Sequence, residues 1–171
     1  MLNPSNSGAS TLAGRGRAQA QMKAAADGTD NYVGAPYMPI ENGSRRTRVL
    51  LVDDSALVRQ ALKDLIAREE DMTVCGEADD QEGALAAVAE TKPELAIIDL
   101  RLRGSDGLEL IREIHRRHPE TRILVLSMSD EALYAEEAIR AGASGYISKL
   151  EATTKLMGAM RRVLYGEIYR R

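Results

Sequence analysis

The chain carries a single cysteine, Cys75, so neither a disulfide framework nor a cysteine-based zinc site can form within its 171 residues. Cys75 lies in the alternating stretch MTVCGEA and reads as a small core side chain in a reducing compartment. Nothing approaches the roughly 18 consecutive apolar residues that a membrane span requires, and no apolar h-region marks a secretory signal. Neither sign of charge dominates. The 23 basic and 26 acidic residues leave a formal net charge of -3, too weak a field to argue for direct contact with nucleic acid. The expectation is a soluble, cytoplasmic chain whose 44% apolar content fills one core and leaves no room for a second large domain.

Residues 1–44 differ from the rest. The stretch MLNPSNSGASTLAGRGRAQAQMKAAADG is rich in Gly, Ser, Asn and Ala and nearly devoid of large apolar side chains. It cannot bury enough surface to offset its ordering entropy, so disorder is expected, and deleting it is expected to leave stability unchanged. Its basic, acid-poor start faintly resembles an organelle transit peptide; a flexible leader, or a true start at Met22 or Met38, is the plainer reading.

From Arg48 onward short apolar runs at 48–52, 72–76, 95–98, 122–126 and 145–148 alternate with stretches of helical period, which gives five β/α units. In the first helix Val58, Ala61, Leu62, Leu65 and Ile66 form one apolar stripe, with Arg59, Lys63 and Arg68 outside it. The second starts at DDQE, where Asp79 and Glu82 have capping-box spacing. The third begins after Gly107 and stops before Pro119, the fourth ends near Gly142, and the fifth carries Leu156, Met160, Val163 and Leu164 to Gly166. LAIID and ILVLS are apolar without alternation, as central parallel strands covered on both faces must be. The expected fold is a doubly wound α/β sandwich spanning residues 45–168, with 169–171 as a terminal stub.

In such sheets ligands bind beyond the carboxyl ends of the strands. Asp53 and Asp54 follow the first strand, Asp99 the third, Ser127 the fourth and Lys149 the fifth. Each alone has a structural explanation: a helix cap for the aspartates (Ser55 already offers one), a turn hydroxyl for Ser127, a solvated end for Lys149. Together they point into one crevice. Carboxylates about 4 Å apart repel by on the order of 4 kcal/mol at an effective dielectric near 20, and a divalent cation with few protein ligands and several waters, Mg²⁺, relieves this. A carboxylate nucleophile, a metal, a cation and a hydroxyl make a phosphoryl-transfer set, with Asp99, alone at the end of the central strand, as the nucleophile.

LLVDDS, LAIIDLRL, GLELIREI, ILVLSMS and AGASGYISK occur in the order and at the separations of one family, so residues 46–168 resemble the receiver domain of two-component response regulators. The resemblance implies a five-stranded parallel sheet of order 2-1-3-4-5, flavodoxin-like. It further implies that Asp99 accepts a phosphoryl group from a sensor histidine kinase or phosphotransfer protein, and that Asp54 and Asp99 ligate Mg²⁺ directly. Asp53 would act through water and Arg101 through its backbone carbonyl, Ser127 and Lys149 would bind the phosphoryl oxygens, and Tyr146 would be the aromatic switch. Tyr146 is expected to turn inward from a partly exposed position and so change the face of helix four, strand five and helix five, where Leu133 and Tyr134 would meet a partner or a second copy of the domain. Apart from promoting its own phosphorylation and slow dephosphorylation, the chain is not expected to be an enzyme.

Three positions depart from the family's commonest pattern. Arg103 replaces a frequent proline, Met128 a small residue whose loss is expected to narrow the site, and Leu150 a proline, which argues against a cis peptide. The last feature, with LMGAMRRVLYGEIY, is similar to receivers of LuxR-type regulators, which usually precede a helix-turn-helix domain; no such pattern follows, so the chain also reads as the receiver part of a truncated transcriptional regulator. Rival functions fit less well. A flavodoxin-like binder needs a Ser/Thr/Gly-rich phosphate loop where DDSALV stands. A haloacid-dehalogenase-type phosphatase needs an aspartate where Arg101 stands, and a structural protein with a dead site has no use for the full set of five groups. His115 and His118 read as surface residues at a helix C-terminus, and Arg161, Arg162, Arg170 and Arg171 as a solvated basic edge.

Overall fold

The computed structural model describes residues 45–170 apart from 105 and 129–131. The expectations for residues 1–44 and for Arg171 lie outside the described residues. The elements are β1 (Thr47–Val52), α1 (Ala56–Ile66), β2 (Met72–Ala78), α2 (Gln81–Thr91), β3 (Leu95–Asp99), α3 (Gly107–Arg117), β4 (Arg122–Ser127), α4 (Ala132–Ala141), β5 (Gly145–Ser148), α5 (Ala152–Leu164) and β6 (Tyr169–Arg170).

All pairings in the sheet are parallel. Its order, β2-β1-β3-β4-β5-β6, is the expected one extended by a short sixth strand from residues read as a terminal stub. Period-two alternation sends Leu50, Val52, Ala96, Ile98, Ile123 and Val125 to the face covered by α2, α3 and α4. Val49, Leu51, Leu95, Ile97, Leu124 and Leu126 face α1 and α5. Burial on both faces explains why these strands are apolar throughout. In α3 the stripe Leu110, Ile111 and Ile114 is wholly buried while His115, Arg116 and Arg117 fill the last turn, where cations suit the dipole.

Two local readings are corrected. The cap of α2 is Asp80, whose carboxylate accepts from the Gly83 N–H at 2.7 Å, rather than Asp79. β2 carries a bulge: Val49 pairs with Val74 but Leu50 with Gly76, which leaves Cys75 as the extra residue, half-buried instead of in the core. Among the described residues no helix is long and apolar enough to cross a membrane, and no peptide bond is cis.

Candidate functional site

Strand register assembles the site. Val52 pairs with Ile98, so Asp53 leaves β1 beside Asp99 at the end of β3, the two strands where the chain reverses its direction of winding. Asp99 pairs with Leu126 and Ser127 with Ser148, which carries Ser127 and Lys149 to the same rim. The Lys149 N–H donates to the Ser127 carbonyl at 2.8 Å and locks the last rung.

The side chains then meet. Lys149 Nζ lies 2.6 Å from Asp53 Oδ2 and 2.7 Å from Asp99 Oδ2. Asp53, Asp54 and Asp99 each bring a carboxylate oxygen within 4.8 Å of the others. Asp53 and Asp99 are 2% and 5% exposed, and Asp54 is half-buried at the mouth. Burial pulls the Lys149 pKa down, but hydrogen bonds and charge from Asp53 and Asp99 outweigh it and hold the ammonium above its ordinary range. Three carboxylates against one ammonium leave a formal charge of about -2 on hard oxygen donors. That donor set fits a small divalent cation and has nothing to offer a soft one.

Arg101 and Ser127 border this region. Asp99 Oδ1 accepts from the Arg101 N–H at 3.2 Å, so the chain turns back over the carboxylate. Ser127 is buried and lines a cavity of about 220 Å³ with Leu100, Arg101, Asp106, Leu108 and Tyr134. Met128 beside it is exposed, as are Leu133 and Tyr134 on α4. Tyr146 corrects an expectation: at 2% exposure it is already packed among the side chains under α2, α3 and α4. β6 also pairs with β5 at Gly145 and Tyr146, so the edge of β5 there is covered.

Three contributors escaped the sequence reading. Arg103, seen only as a missing proline, places Nε 4.0 Å from Asp54. Gly107 lets α3 start against the loop after Asp99; a Cβ there would meet the Leu100 backbone at 2.6 Å. Arg59, placed outside the stripe of α1, reaches back to the Asp53 carbonyl at 2.5 Å. Its one signal in the sequence is a cation early in a helix, where the dipole disfavours it.

A parallel sheet with this order and three carboxylates beside a lysine at the strand ends defines a class: the chain matches the response regulator receiver domain over residues 49–161 and belongs to that family. It is thus a receiver domain of the two-component response regulators. Among relatives it is 37% identical over 122 residues to an uncharacterized transcriptional regulatory protein, YxjL, of Bacillus subtilis, covering 71% of this chain and 56% of that one. It is 40% identical over 125 residues to the DNA-binding transcriptional activator DevR/DosR of Mycobacterium tuberculosis, covering 68% and 57%. The chain therefore spans little more than half the length of these relatives. A LuxR-family two-component response regulator from Aurantimonas superposes with a TM-score of 0.70 at 35% identity, over 72% of this chain and 89% of that one.

Proposed function

We propose that Asp99 takes a phosphoryl group from a phosphohistidine on a sensor histidine kinase or phosphotransfer protein, and that the acyl phosphate changes which partner the α4–β5–α5 face binds. The observation that carries this is the Lys149 ammonium held between two buried carboxylates, with the third at the mouth. An Asp99 oxygen attacks phosphorus; the O–P bond forms as the P–N bond breaks, and the imidazole keeps the electron pair. Lys149, already cationic, can turn from Asp99 to a phosphoryl oxygen, and the Ser127 hydroxyl donates to another. Asp54 and Asp99, the Arg101 carbonyl, and Asp53 through water would hold Mg²⁺, which supplies positive charge against the phosphoryl oxygens when bound. Tyr146 serves as the switch by being held in the packed position, not by travelling to it.

The chain thereby promotes only its own phosphorylation and slow dephosphorylation. It does so in the cytoplasm, and the names of its relatives support transcription as the output. A second copy docking on the α4–β5–α5 face is one way to reach that output. The test is labelling by a small phosphodonor, read by intact mass. One adduct is expected with Mg²⁺, none without it, and none in Asp99→Asn; undiminished labelling of that variant would place the group elsewhere.

A further inference from the structure

Every polar group of Asp53 is engaged. Its N–H donates to the Ala78 carbonyl at 3.1 Å, Oδ1 accepts from the Ser55 N–H at 2.9 Å, and Oδ2 faces Lys149 at 2.6 Å. Its carbonyl accepts from Arg59 Nη1 at 2.5 Å. Arg59 is itself anchored, because its Nε donates to Glu77 Oε2 at 3.2 Å, and the other oxygen of Glu77 takes Lys63 Nζ at 2.9 Å. Glu77 precedes Ala78 on β2. The guanidinium thus ties the Asp53–Asp54 turn to the neighbouring strand, and its side chain is only 16% exposed.

From this we infer that Arg59 is a positioning residue for the acidic site: through the Asp53 carbonyl it fixes the direction in which Asp53 and Asp54 present their carboxylates. The inference rests on the Mg²⁺ reading above. Geometry and charge pull in opposite directions here, which makes it decidable. A guanidinium on the backbone carbonyl of one of the three aspartates adds positive charge near the site and repels a divalent cation, so if only its charge mattered, removing it would tighten Mg²⁺ binding. If it positions the turn, removing it loosens the ligand set and weakens binding, as loss of a ligand's supporting partner typically does by roughly 10- to 100-fold.

The experiment is calorimetric titration of the whole chain with Mg²⁺ alone, with amide NMR shifts of Asp53–Ser55 as the second readout. Arg59→Met keeps most of the aliphatic stem, and Arg59→Lys keeps the charge but offers a single nitrogen. We expect Arg59→Met to weaken Mg²⁺ about 10-fold or more and Arg59→Lys to fall between it and the unaltered chain. Equal or tighter binding by folded Arg59→Met overturns the assignment. Should Arg59→Met not fold, Arg59→Lys and Glu77→Gln decide, since both perturb the tie and retain the cation; unchanged affinity in both overturns it. Absence of Mg²⁺ binding by the unaltered chain overturns the metal reading itself, and this one with it.

Discussion

Lys149 is the residue on which the acidic centre balances. Asp53 and Asp99 are buried, and without the ammonium they would face each other uncompensated. Removing one partner of a buried ion pair costs about 3 kcal/mol or more. Lys149→Met should therefore lower the free energy of unfolding by about that amount in metal-free buffer, and added Mg²⁺ should restore part of it by mass action. Urea unfolding with and without Mg²⁺ checks this, and a variant as stable as the parent in metal-free buffer would refute it. Glu77 makes a pH prediction. The hydrogen bond from Lys63 is the largest influence on it, burial opposes that, and Arg59 adds to it; together they hold its pKa below the ordinary 4.5. A depressed carboxylate contributes stability that is complete above its unfolded value and disappears as pH falls through its folded value. Its side chain is a third exposed, so Glu77→Gln should cost no more than about 1 kcal/mol near neutral pH. That difference should shrink as pH falls below 4.5 and vanish only once pH has passed below the depressed folded value. A penalty that stayed constant with pH would assign the loss to packing instead.

At the scale of the element, the helices were legible to within a residue or two because period, cap and stop agree. Ser55 caps α1 by accepting from the Val58 N–H, and α5 ends two residues before Gly166. What misled was adjacency: Asp79 and Asp80 are both good caps, and only the path of the chain off β2 selects the second. Asp80→Ala should cost about 1 kcal/mol and Asp79→Ala less than about 0.5 kcal/mol, a contrast that thermal unfolding resolves. By its place in the last turn of α3, His115 reads as a surface residue, and the structure half-buries it. Its helix position is outward, but Gly142, at φ +113°, comes close enough that a Cβ there would meet the imidazole Cγ at 2.4 Å. Hydrogen exchange with a beryllofluoride mimic and Mg²⁺ should show added protection in 132–148; silence there, with changes only around Asp54 and Asp99, would refute the route through α4 and β5.

For the sheet as a whole, β6 changes what the expected docking face offers. Tyr169 is buried against the α5 side of the sheet, its N–H donates to the Ser144 carbonyl, and Arg162 lies 5.2 Å from the centre of its ring. Part of the basic edge is paired: Arg161 with Glu69 and Asp71, and Arg162 with Glu167. Tyr169→Ala should lower stability by about 3 kcal/mol through the void it leaves; a change under about 0.5 kcal/mol would mean that β6 does not pack in solution. The sequence by itself determined the β/α order, the two-faced burial of the strands and the set of strand-end groups, because each follows from local periodicity and from the chemistry of a residue at a boundary. Tertiary structure decided the rest: that Lys149 spans Asp53 and Asp99, that Tyr146 is already enclosed, that Cys75 falls in a bulge, that Arg59 reaches an aspartate carbonyl six positions back, and that Tyr169 extends the sheet. Those depend on register between strands distant in the chain and on which side-chain conformers packing leaves open, and neither is encoded in the spacing of residues along one segment.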